Sequence, residues 1–255
     1  MIGILIVARL GSSRLAAKHL IKYNNKTFIE HLVNRIGYTL KDEIEKGICQ
    51  IIIATGSKDE NFKFSEILFE YPVTVFYGND SNVPRRQLDC GHELNLDAII
   101  SVDGDDLLIS NEALKDIYKK LKDGHDILKT ANLPLGMNVM GYSVKFLDAI
   151  LNNLKDQKVV ETGWGRIFEN SLIETVKFEP VFSDERLRYT LDYPEDAAFF
   201  QAVFENLGKH LYSADYNAIN TIVLKKDLLS INGSLNLEYW QNFNAAMKKE
   251  QDNID

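Results

Sequence analysis

The sequence predicts an α/β fold: a Rossmann-like, mostly parallel sheet flanked by helices, with helical additions at the C-terminus. Short apolar runs without a polar face indicate strands that are buried on both sides. These runs alternate with segments in which apolar residues recur at helical spacing, as in parallel α/β proteins. The 255 residues contain no repeat, low-complexity tract or linker rich in proline and glycine. We therefore expect one domain over residues 1–255.

The first half of the chain carries the clearest signals. A strand is expected over Ile2–Ala8, followed by an amphipathic helix over 27–41. A later helix, with apolar positions over 114–121, is expected to be capped near Ser110 or Asn111. The other elements predicted here are strands at 51–55, 73–77, 98–102 and 127–129, and a helix near 59–70.

The second half is less regular. The predicted elements are strands at 138–143, 172–178 and 186–191, and helices at 144–154, 194–207 and 235–249. Residues 209–250 are expected to form C-terminal helices, although 209–234 alone is ambiguous. Segment 131–170 contains apolar groups that have no clear place in a single α/β core, namely Met137, Met140, Tyr142 and Trp164. It is therefore predicted to be a dimerisation or acceptor-binding insertion, and the chain to form a homodimer.

Composition excludes several classes of function. Lys plus Arg is 29 and Asp plus Glu is 37, and the net charge of −8 argues against binding to nucleic acid. Two cysteines are too few for a disulfide framework or a Cys-only zinc site. No segment reaches the roughly 18 apolar residues of a membrane span, and the start lacks the basic region of a signal peptide. We expect a cytoplasmic protein that does not bind a membrane.

A loop rich in glycine, serine and cations follows the first strand. In an open α/β sheet, ligands bind beyond the carboxyl ends of the strands. A glycine lets the backbone approach a ligand, and nearby cations can neutralise a polyphosphate, although a solvated basic loop is the alternative. Neither the P-loop pattern nor G-x-G-x-x-G is present, so the usual ATPase and dinucleotide motifs are not supported. The residues predicted to bind nucleotide here are Ala8, Arg9, Gly11, Ser12, Ser13, Arg14 and Lys18.

Carboxylates follow two other predicted strands. Asp103, Asp105 and Asp106 come after the fourth strand, and such close negative charges repel unless solvent or a cation compensates them. Mg²⁺ that bridges to phosphates is a common partner of such groups, and solvated turn aspartates are the alternative. Asp192 follows the strand expected at 186–191 and precedes a helix.

Two further polar segments lie at strand ends. Thr55 and Ser57 follow the second strand, where they can hydrogen-bond a base or ribose; capping of the next helix by Ser57 is the alternative. Glu195 and Asp196 lie in the first turn of a predicted helix, and we interpret them as structural partners of the helix dipole.

These segments together resemble the cytidylyltransferases that activate acidic sugars. That family includes CMP-KDO synthetase, acylneuraminate cytidylyltransferase and the spore-coat-polysaccharide type of nucleotidyltransferase. The family has an opening pattern similar to A-R-x-G-S-x-R-L-P-G-K, a G-D pattern at a strand end, and a late pattern T-x-D-x-P-E-D. The matching residues are Ala8, Arg9, Gly11, Ser12, Arg14, Leu15, Lys18, Gly104, Asp105, Thr190, Asp192, Pro194, Glu195 and Asp196. Ala16-Ala17 stands where the family has Pro-Gly, and Leu107 where a proline often follows.

The resemblance implies nucleotidyl transfer, in which a sugar hydroxyl attacks the α-phosphorus of a nucleoside triphosphate and pyrophosphate leaves. It implies CTP as the nucleotide and a nonulosonate or KDO-like sugar acid as the acceptor. Arg14, Lys18 and Asp105 are then the expected catalytic residues, and Asp105 and Asp192 are expected to hold Mg²⁺, or Mn²⁺ in its place. Asp103 joins Thr55 and Ser57 in the expected nucleotide-binding set.

Two other functions stay open at this stage. The chain can be a nucleotidyltransferase that uses another nucleotide and a neutral sugar or polyol, since such an enzyme shares the same loop and carboxylates. It can also be a catalytically silent nucleotide-binding or scaffold protein, because the departures from the family patterns surround the site.

Overall fold

The computed structural model describes residues 1–12, 14–154, 160–180 and 184–252. These residues form nine strands and ten α-helices, and strands and helices alternate over the first half of the chain, as predicted. The strands are β1 (Ile2–Val7), β2 (Lys22–Tyr23), β3 (Lys26–Thr27), β4 (Cys49–Thr55), β5 (Val73–Tyr77), β6 (Ala98–Asp103), β7 (Ile127–Ala131), β8 (Met140–Ser143) and β9 (Glu174–Lys177). The helices are α1 (Phe28–Thr39), α2 (Lys41–Glu45), α3 (Lys58–Asn61), α4 (Val83–Glu93), α5 (Asn111–Lys122), α6 (Val144–Asn153), α7 (Pro194–Leu207), α8 (Tyr216–Lys225), α9 (Leu229–Asn232) and α10 (Asn236–Asp252).

The main sheet is mostly parallel, with β1 near its centre. In the described part of the chain, seven strands pair in the order β5-β4-β1-β6-β8-β7-β9, and β8 alone runs antiparallel to its neighbours. β1 pairs in parallel with β4 and β6, and Val7 lies opposite Asp103. The carboxyl ends of β1 and β6 therefore lie side by side at one edge of the sheet, where ligands bind in open α/β folds.

Successive residues of the central strands enter two hydrophobic cores. Ile4 and Ile6 of β1 pack on the face that α1, α5 and α7 cover. Leu5 packs on the opposite face, under α4 and α6. Because successive side chains of a strand point to opposite faces, an unbroken apolar strand needs helices on both sides. The predicted α/β class, with its C-terminal helices, is confirmed.

Helix starts follow the local sequence. The Ser110 hydroxyl accepts a hydrogen bond from the Ala113 amide at 3.1 Å, which confirms the predicted cap of α5. At α1, Thr27 and Glu30 form a reciprocal capping box. None of the described helices is both long and apolar enough to cross a membrane.

Two predictions about elements were wrong, and helix α4 was missed. The helix expected near 59–70 is only α3 and a 3₁₀ turn over Phe62–Glu66, since Phe62 and Leu68 face solvent and supply no continuing apolar stripe. Segment 186–191 forms no regular strand; it is joined to the rest of the sheet region by an isolated bridge between Arg188 and Leu135. Helix α4 was not predicted, because buried Arg86 and Gln87 interrupt its apolar pattern.

The apolar groups of segment 131–170 have places in the core. Met137 and Tyr142 are fully buried, and Met140 and Trp164 pack beside the second core. These four apolar side chains, which led us to predict dimerisation, are therefore covered within the chain itself. The homodimer stays a prediction without that support.

Candidate active site

Most of the predicted site residues meet in one cleft of about 620 Å³ at the carboxyl ends of β1 and β6. The sequence brings them there because the loops after these neighbouring strands, and the segment before α7, open on the same edge of the sheet. The predicted residues that line the cleft are Ala8, Arg9, Ser12, Arg14, Lys18, Asp103, Asp105 and Asp192.

Lys18 joins the two predicted metal carboxylates. Its Nζ lies 2.6 Å from Asp105 Oδ2 and 3.2 Å from Asp192 Oδ1, and its side chain is 7% exposed. Arg14 Nη2 donates to the same Asp192 oxygen at 2.6 Å. The described site thus has two cations and two carboxylates around one point. Cations of this kind bind the phosphates of a nucleoside triphosphate, and carboxylates of this kind bind a divalent cation.

The pKa values of the two carboxyl groups shift in opposite directions. Enclosure in the cleft raises the pKa of Asp105 to about 6, although Lys18 opposes the shift. Burial also disfavours the charge of Asp192, but Lys18 and Arg14 outweigh it and lower the pKa of this group. The two carboxylates in turn raise the pKa of Lys18 against the effect of its own burial. Lys18 and Asp192 are therefore charged at neutral pH.

The backbone turn before Lys18 is left-handed. Ala17 has φ 49° and ψ 32° and precedes the 3₁₀ turn Lys18–Leu20. This is the position where the resembled motif has glycine, the residue for which such a φ carries no steric penalty. The departure from the motif therefore keeps the backbone conformation and the position of Lys18, at a cost in strain.

A buried ion pair holds Asp192. Arg188 is fully buried and donates to both carboxylate oxygens of Asp196, at 2.6 and 2.9 Å. Asp196 Oδ2 also accepts hydrogen bonds from the backbone amides of Asp192 and Tyr193, each at 2.9 Å. Asp196 was interpreted from the sequence as a structural residue at the start of α7. In the structure it also fixes the backbone that carries the Asp192 carboxylate.

The loop that carries Arg9, Arg14 and Lys18, the cation loop, faces a carboxylate at its start. Arg9 forms an ion pair with Glu161. Arg86, which is 2% exposed, lies in the same cleft wall and donates to the backbone carbonyls of Asn79, Ala54 and Asp80. Glu161 also lowers the cost of charging Arg86, because burial lowers the pKa of this guanidinium and Glu161 opposes that shift.

Three of the predicted nucleotide-binding residues, Gly11, Thr55 and Ser57, do not line this cleft. Gly11 lies between the lining residues Arg9 and Ser12 but does not itself line the cleft, and Thr55 is fully buried. The Ser57 amide donates to Asp80 Oδ1 at 2.5 Å, and the Ser57 side chain makes no capping hydrogen bond. Ser13 lies outside the described residues.

Comparison with known proteins identifies the family. The family model described as cytidylyltransferase matches residues 3–205. The chain belongs to the cytidylyltransferase family. A curated relative, an uncharacterized protein of Methanocaldococcus jannaschii, is 30% identical over 200 residues, which is 77% of this chain and 79% of that protein.

Two solved structures share the fold of this cytidylyltransferase. A cytidylyltransferase from Leptospira borgpetersenii serovar Hardjo-bovis superposes with a TM-score of 0.75 at 19% identity, covering 91% of this chain and 96% of that one. CMP:2-keto-3-deoxy-manno-octonic acid synthetase, complexed with CTP, superposes with a TM-score of 0.57 at 15% identity, covering 80% and 98%. The chain is therefore an enzyme of the nucleotidyltransferase class with the fold of these proteins.

The donor set of the site fits a divalent cation that keeps open positions. No group of three or more His, Cys, Asp or Glu side chains in the described residues surrounds a single point. Asp105 and Asp192, however, both reach one cation, the Lys18 ammonium. Mg²⁺ takes one or two carboxylates and completes its coordination with water and phosphate oxygens, so two carboxylates suffice.

Several residues of the site were missed in the sequence. Trp164 Nε1 donates to Asp103 Oδ1 at 3.3 Å, and Glu161 pairs with Arg9, but both lie in an irregular segment without a motif. Tyr239 and Trp240 of α10 also line the cleft, although they lie far along the chain from the motifs of the site. Arg188 is fully buried, but no local signal distinguishes it from Arg186, which lies two positions before it and is exposed.

Proposed function

We propose that this cytidylyltransferase transfers CMP from CTP to a hydroxyl of a sugar acid of the nonulosonate or KDO-like class, releasing pyrophosphate for glycan biosynthesis. The observation that carries the proposal is the meeting of Arg14 and Lys18 with Asp105 and Asp192 at one point of the cleft. The structural likeness to a CMP:2-keto-3-deoxy-manno-octonic acid synthetase complexed with CTP supports the nucleotide and the acceptor class.

The reaction needs positioning and charge neutralisation more than covalent help from the protein. The acceptor oxygen bonds to the α-phosphorus of CTP, the bond from that phosphorus to the bridging oxygen of the β-phosphate breaks, and the hydroxyl proton passes to solvent. Arg14 and Lys18 donate hydrogen bonds to the negative charge that develops on the α-phosphate and pyrophosphate. The burial of Lys18, which is 7% exposed, strengthens its interaction, whereas Arg14 is 42% exposed and acts closer to water.

Asp105 and Asp192 are the residues that would hold Mg²⁺ or Mn²⁺. When bound, the cation neutralises phosphate charge and polarises the α-phosphate. Asp103, held by the Trp164 indole, borders the same space and would offer a further oxygen ligand within the cleft.

Pyrophosphate release tests the proposal. Wild-type protein is incubated with Mg²⁺ and each of CTP, UTP, GTP and ATP, in combination with KDO, N-acetylneuraminic acid and neutral sugars or polyols. We expect release above background with CTP and a sugar acid, and none when EDTA replaces Mg²⁺. Release with another nucleotide and a neutral acceptor contradicts the proposed substrates, and no release with any pair contradicts the proposed reaction.

The metal assignment has its own variants. Asp105→Asn and Asp192→Asn are expected to abolish most metal-dependent turnover, because each removes a negatively charged oxygen ligand. Asp116→Asn, an exposed carboxylate on α5, serves as the matched control and is expected to behave as wild type. Full activity in EDTA contradicts the metal-dependent reaction.

A further inference from the structure

One wall of the cleft is aromatic and comes from the C-terminal helix. Tyr239, Trp240 and Phe243 of α10 line the cleft together with the cation loop and the carboxylates. Helix α10 spans Asn236–Asp252 and thus follows the region 3–205 that the family model matches. The aromatic wall is therefore built from residues that the family match does not include.

Helix α10 is attached to the site at both of its ends. The Arg188 guanidinium lies 4.8 Å from the centre of the Tyr239 ring, and Asn242 Nδ2 donates to Tyr193 Oη at 2.8 Å. At the other end, the Glu250 carboxylate accepts a hydrogen bond from the Thr162 amide at 2.8 Å. These contacts hold the aromatic side chains in position over the cleft before any ligand binds.

The Trp240 end of the aromatic wall lies on the side of the cleft that is towards β7 and away from β5. Trp240 also lines a small hollow with Leu135, in the segment that follows β7. Arg86, at the other end, belongs to α4, which follows β5. In the sheet order, β5 and β7 lie on opposite sides of β1, and Lys18 lies between them at the end of β1.

This arrangement divides the cleft by function. The proposed function assigns the triphosphate to the loop after β1, so the α-phosphate lies near Lys18. An attacking hydroxyl must approach from a side that the nucleotide leaves free. With the nucleotide on the side of α4, whose Val83 and Arg86 line the cleft, the side left free is that of Trp240.

We propose that Trp240 and Phe243 form the acceptor-binding wall and select an acceptor that presents an apolar ring face, the pyranose form of a sugar acid. This inference rests on the proposed function. Trp240 is 46% exposed, so a ring stacked on it removes apolar surface from water. Small-ligand sites typically combine such aromatic area with a few placed polar groups, which Arg14 and Asn242 provide here.

Kinetics of helix variants test the proposal with KDO and N-acetylneuraminic acid as acceptors. Trp240→Ala and Phe243→Ala are expected to raise the KM for the acceptor about tenfold, with the KM for CTP within about twofold, as loss of binding to one substrate predicts. Trp240→Phe is expected to restore most of the acceptor affinity. The matched control is Leu237→Ala, since Leu237 is 71% exposed on the same helix and does not line the cleft.

Tryptophan fluorescence gives a second readout. The chain has two tryptophans; with Trp164 and its hydrogen bond to Asp103 kept, the difference in emission between wild-type protein and Trp240→Phe is that of Trp240. We expect CTP with Mg²⁺ to leave its emission unchanged, and subsequent addition of either sugar acid to shift it. Emission that responds to CTP alone, or a raised KM for CTP in Trp240→Ala, overturns the inference and assigns the wall to the nucleotide.

The kinetic outcomes separate this inference from the proposed function. If wild-type protein turns over a sugar acid and Trp240→Ala and Phe243→Ala leave its KM unchanged, the proposed function stands and the acceptor wall is wrong. If wild-type protein binds CTP but releases no pyrophosphate with either acid, the proposed function is wrong and the inference falls with it.

Discussion

At the scale of single residues, the cations of the loop after β1 are expected to matter for turnover. Lys18→Ala and Arg14→Ala each remove a donor to the charge that develops on the phosphates, and such losses typically lower kcat on the order of 10²–10³-fold. Lys22→Ala, which removes an exposed lysine four positions after Lys18, is the control and should keep the wild-type rate. Near-wild-type rates in both loop variants would show that these cations lie outside the reaction.

The left-handed residue before Lys18 is expected to reduce stability. Ala17→Gly should raise the free energy of unfolding by about 1 kcal/mol, because a residue with a Cβ pays a penalty of that size at this φ. Ala16→Gly is the control; it should not stabilise, since the positive φ belongs to Ala17 and not to its neighbour. Urea denaturation measures both, and equal effects of the two variants would contradict the assignment of strain.

The buried ion pair behind Asp192 is expected to contribute to both folding and turnover. Asp196→Asn removes the carboxylate that accepts both hydrogen bonds of buried Arg188 and leaves it only the longer ion pair with Asp192 at 3.6 Å; breaking a buried pair costs about 3–5 kcal/mol. Asp184→Asn breaks the exposed pair with Arg186 nearby and should leave the urea midpoint unchanged. A wild-type midpoint for Asp196→Asn would mean that Arg188 is compensated by other groups.

At the scale of elements, segment 160–162 links the cation loop to α10. Its Glu161 carboxylate neutralises Arg9, while its backbone amides bind Glu250 of α10. A triphosphate that binds at Arg9 must replace this internal anion. The segment therefore competes with the proposed nucleotide for the same charge.

Removal of that competing charge should tighten anion binding. Glu161→Gln is expected to raise the affinity for inorganic triphosphate several-fold. The substitution removes the negative charge that pairs with Arg9, while glutamine keeps the size of the side chain and an oxygen acceptor. Isothermal titration calorimetry measures the affinity. Glu169→Gln, an exposed carboxylate in the following turn, is the control and should bind as wild type. Unchanged or weaker binding by Glu161→Gln would show that Glu161 does not compete with phosphate.

At the scale of the whole molecule, one cysteine lies in each hydrophobic core. Cys49 belongs to the core under α1, and Cys90 to the core under α4 and α6. Burial raises the pKa of both thiols to about 12, so they stay protonated and inaccessible at pH 8. The two cores share the central sheet, so they are expected to open together.

Thiol labelling tests this cooperativity. Native protein at pH 8 should resist an alkylating reagent, and both thiols should react at one common urea midpoint, since the unfolded thiols have pKa values near the ordinary value of about 8.5. Single variants Cys49→Ala and Cys90→Ala assign the signals. Rapid labelling of either thiol in the native protein, or two separate midpoints, would contradict a single cooperative unit.

Local patterns in the sequence were enough for most strands of the main sheet and for most of the residues that line the candidate cleft. Apolar runs such as Ile2–Val7 predict buried strands, because an unbroken β-branched run has no polar face to present to water. The loop cations and the carboxylates at 103–106 and 192 were found because polar groups at strand ends mark the ligand edge of an α/β sheet. The strand at 186–191 was wrong because its backbone pairs at only one residue, which the side-chain pattern does not reveal.

The sequence by itself thus determined the α/β class, the cation loop and the identity of the carboxylates, since these depend on residue type and short-range spacing. Only the tertiary structure decided which of them meet. Lys18 contacts Asp105 and Asp192 across 87 and 174 positions, and such contacts depend on strand order, which no local pattern encodes. The same holds for α10, whose aromatic residues have an ordinary helical pattern, and whose position over the cleft follows from distant partners such as Arg188 and Thr162.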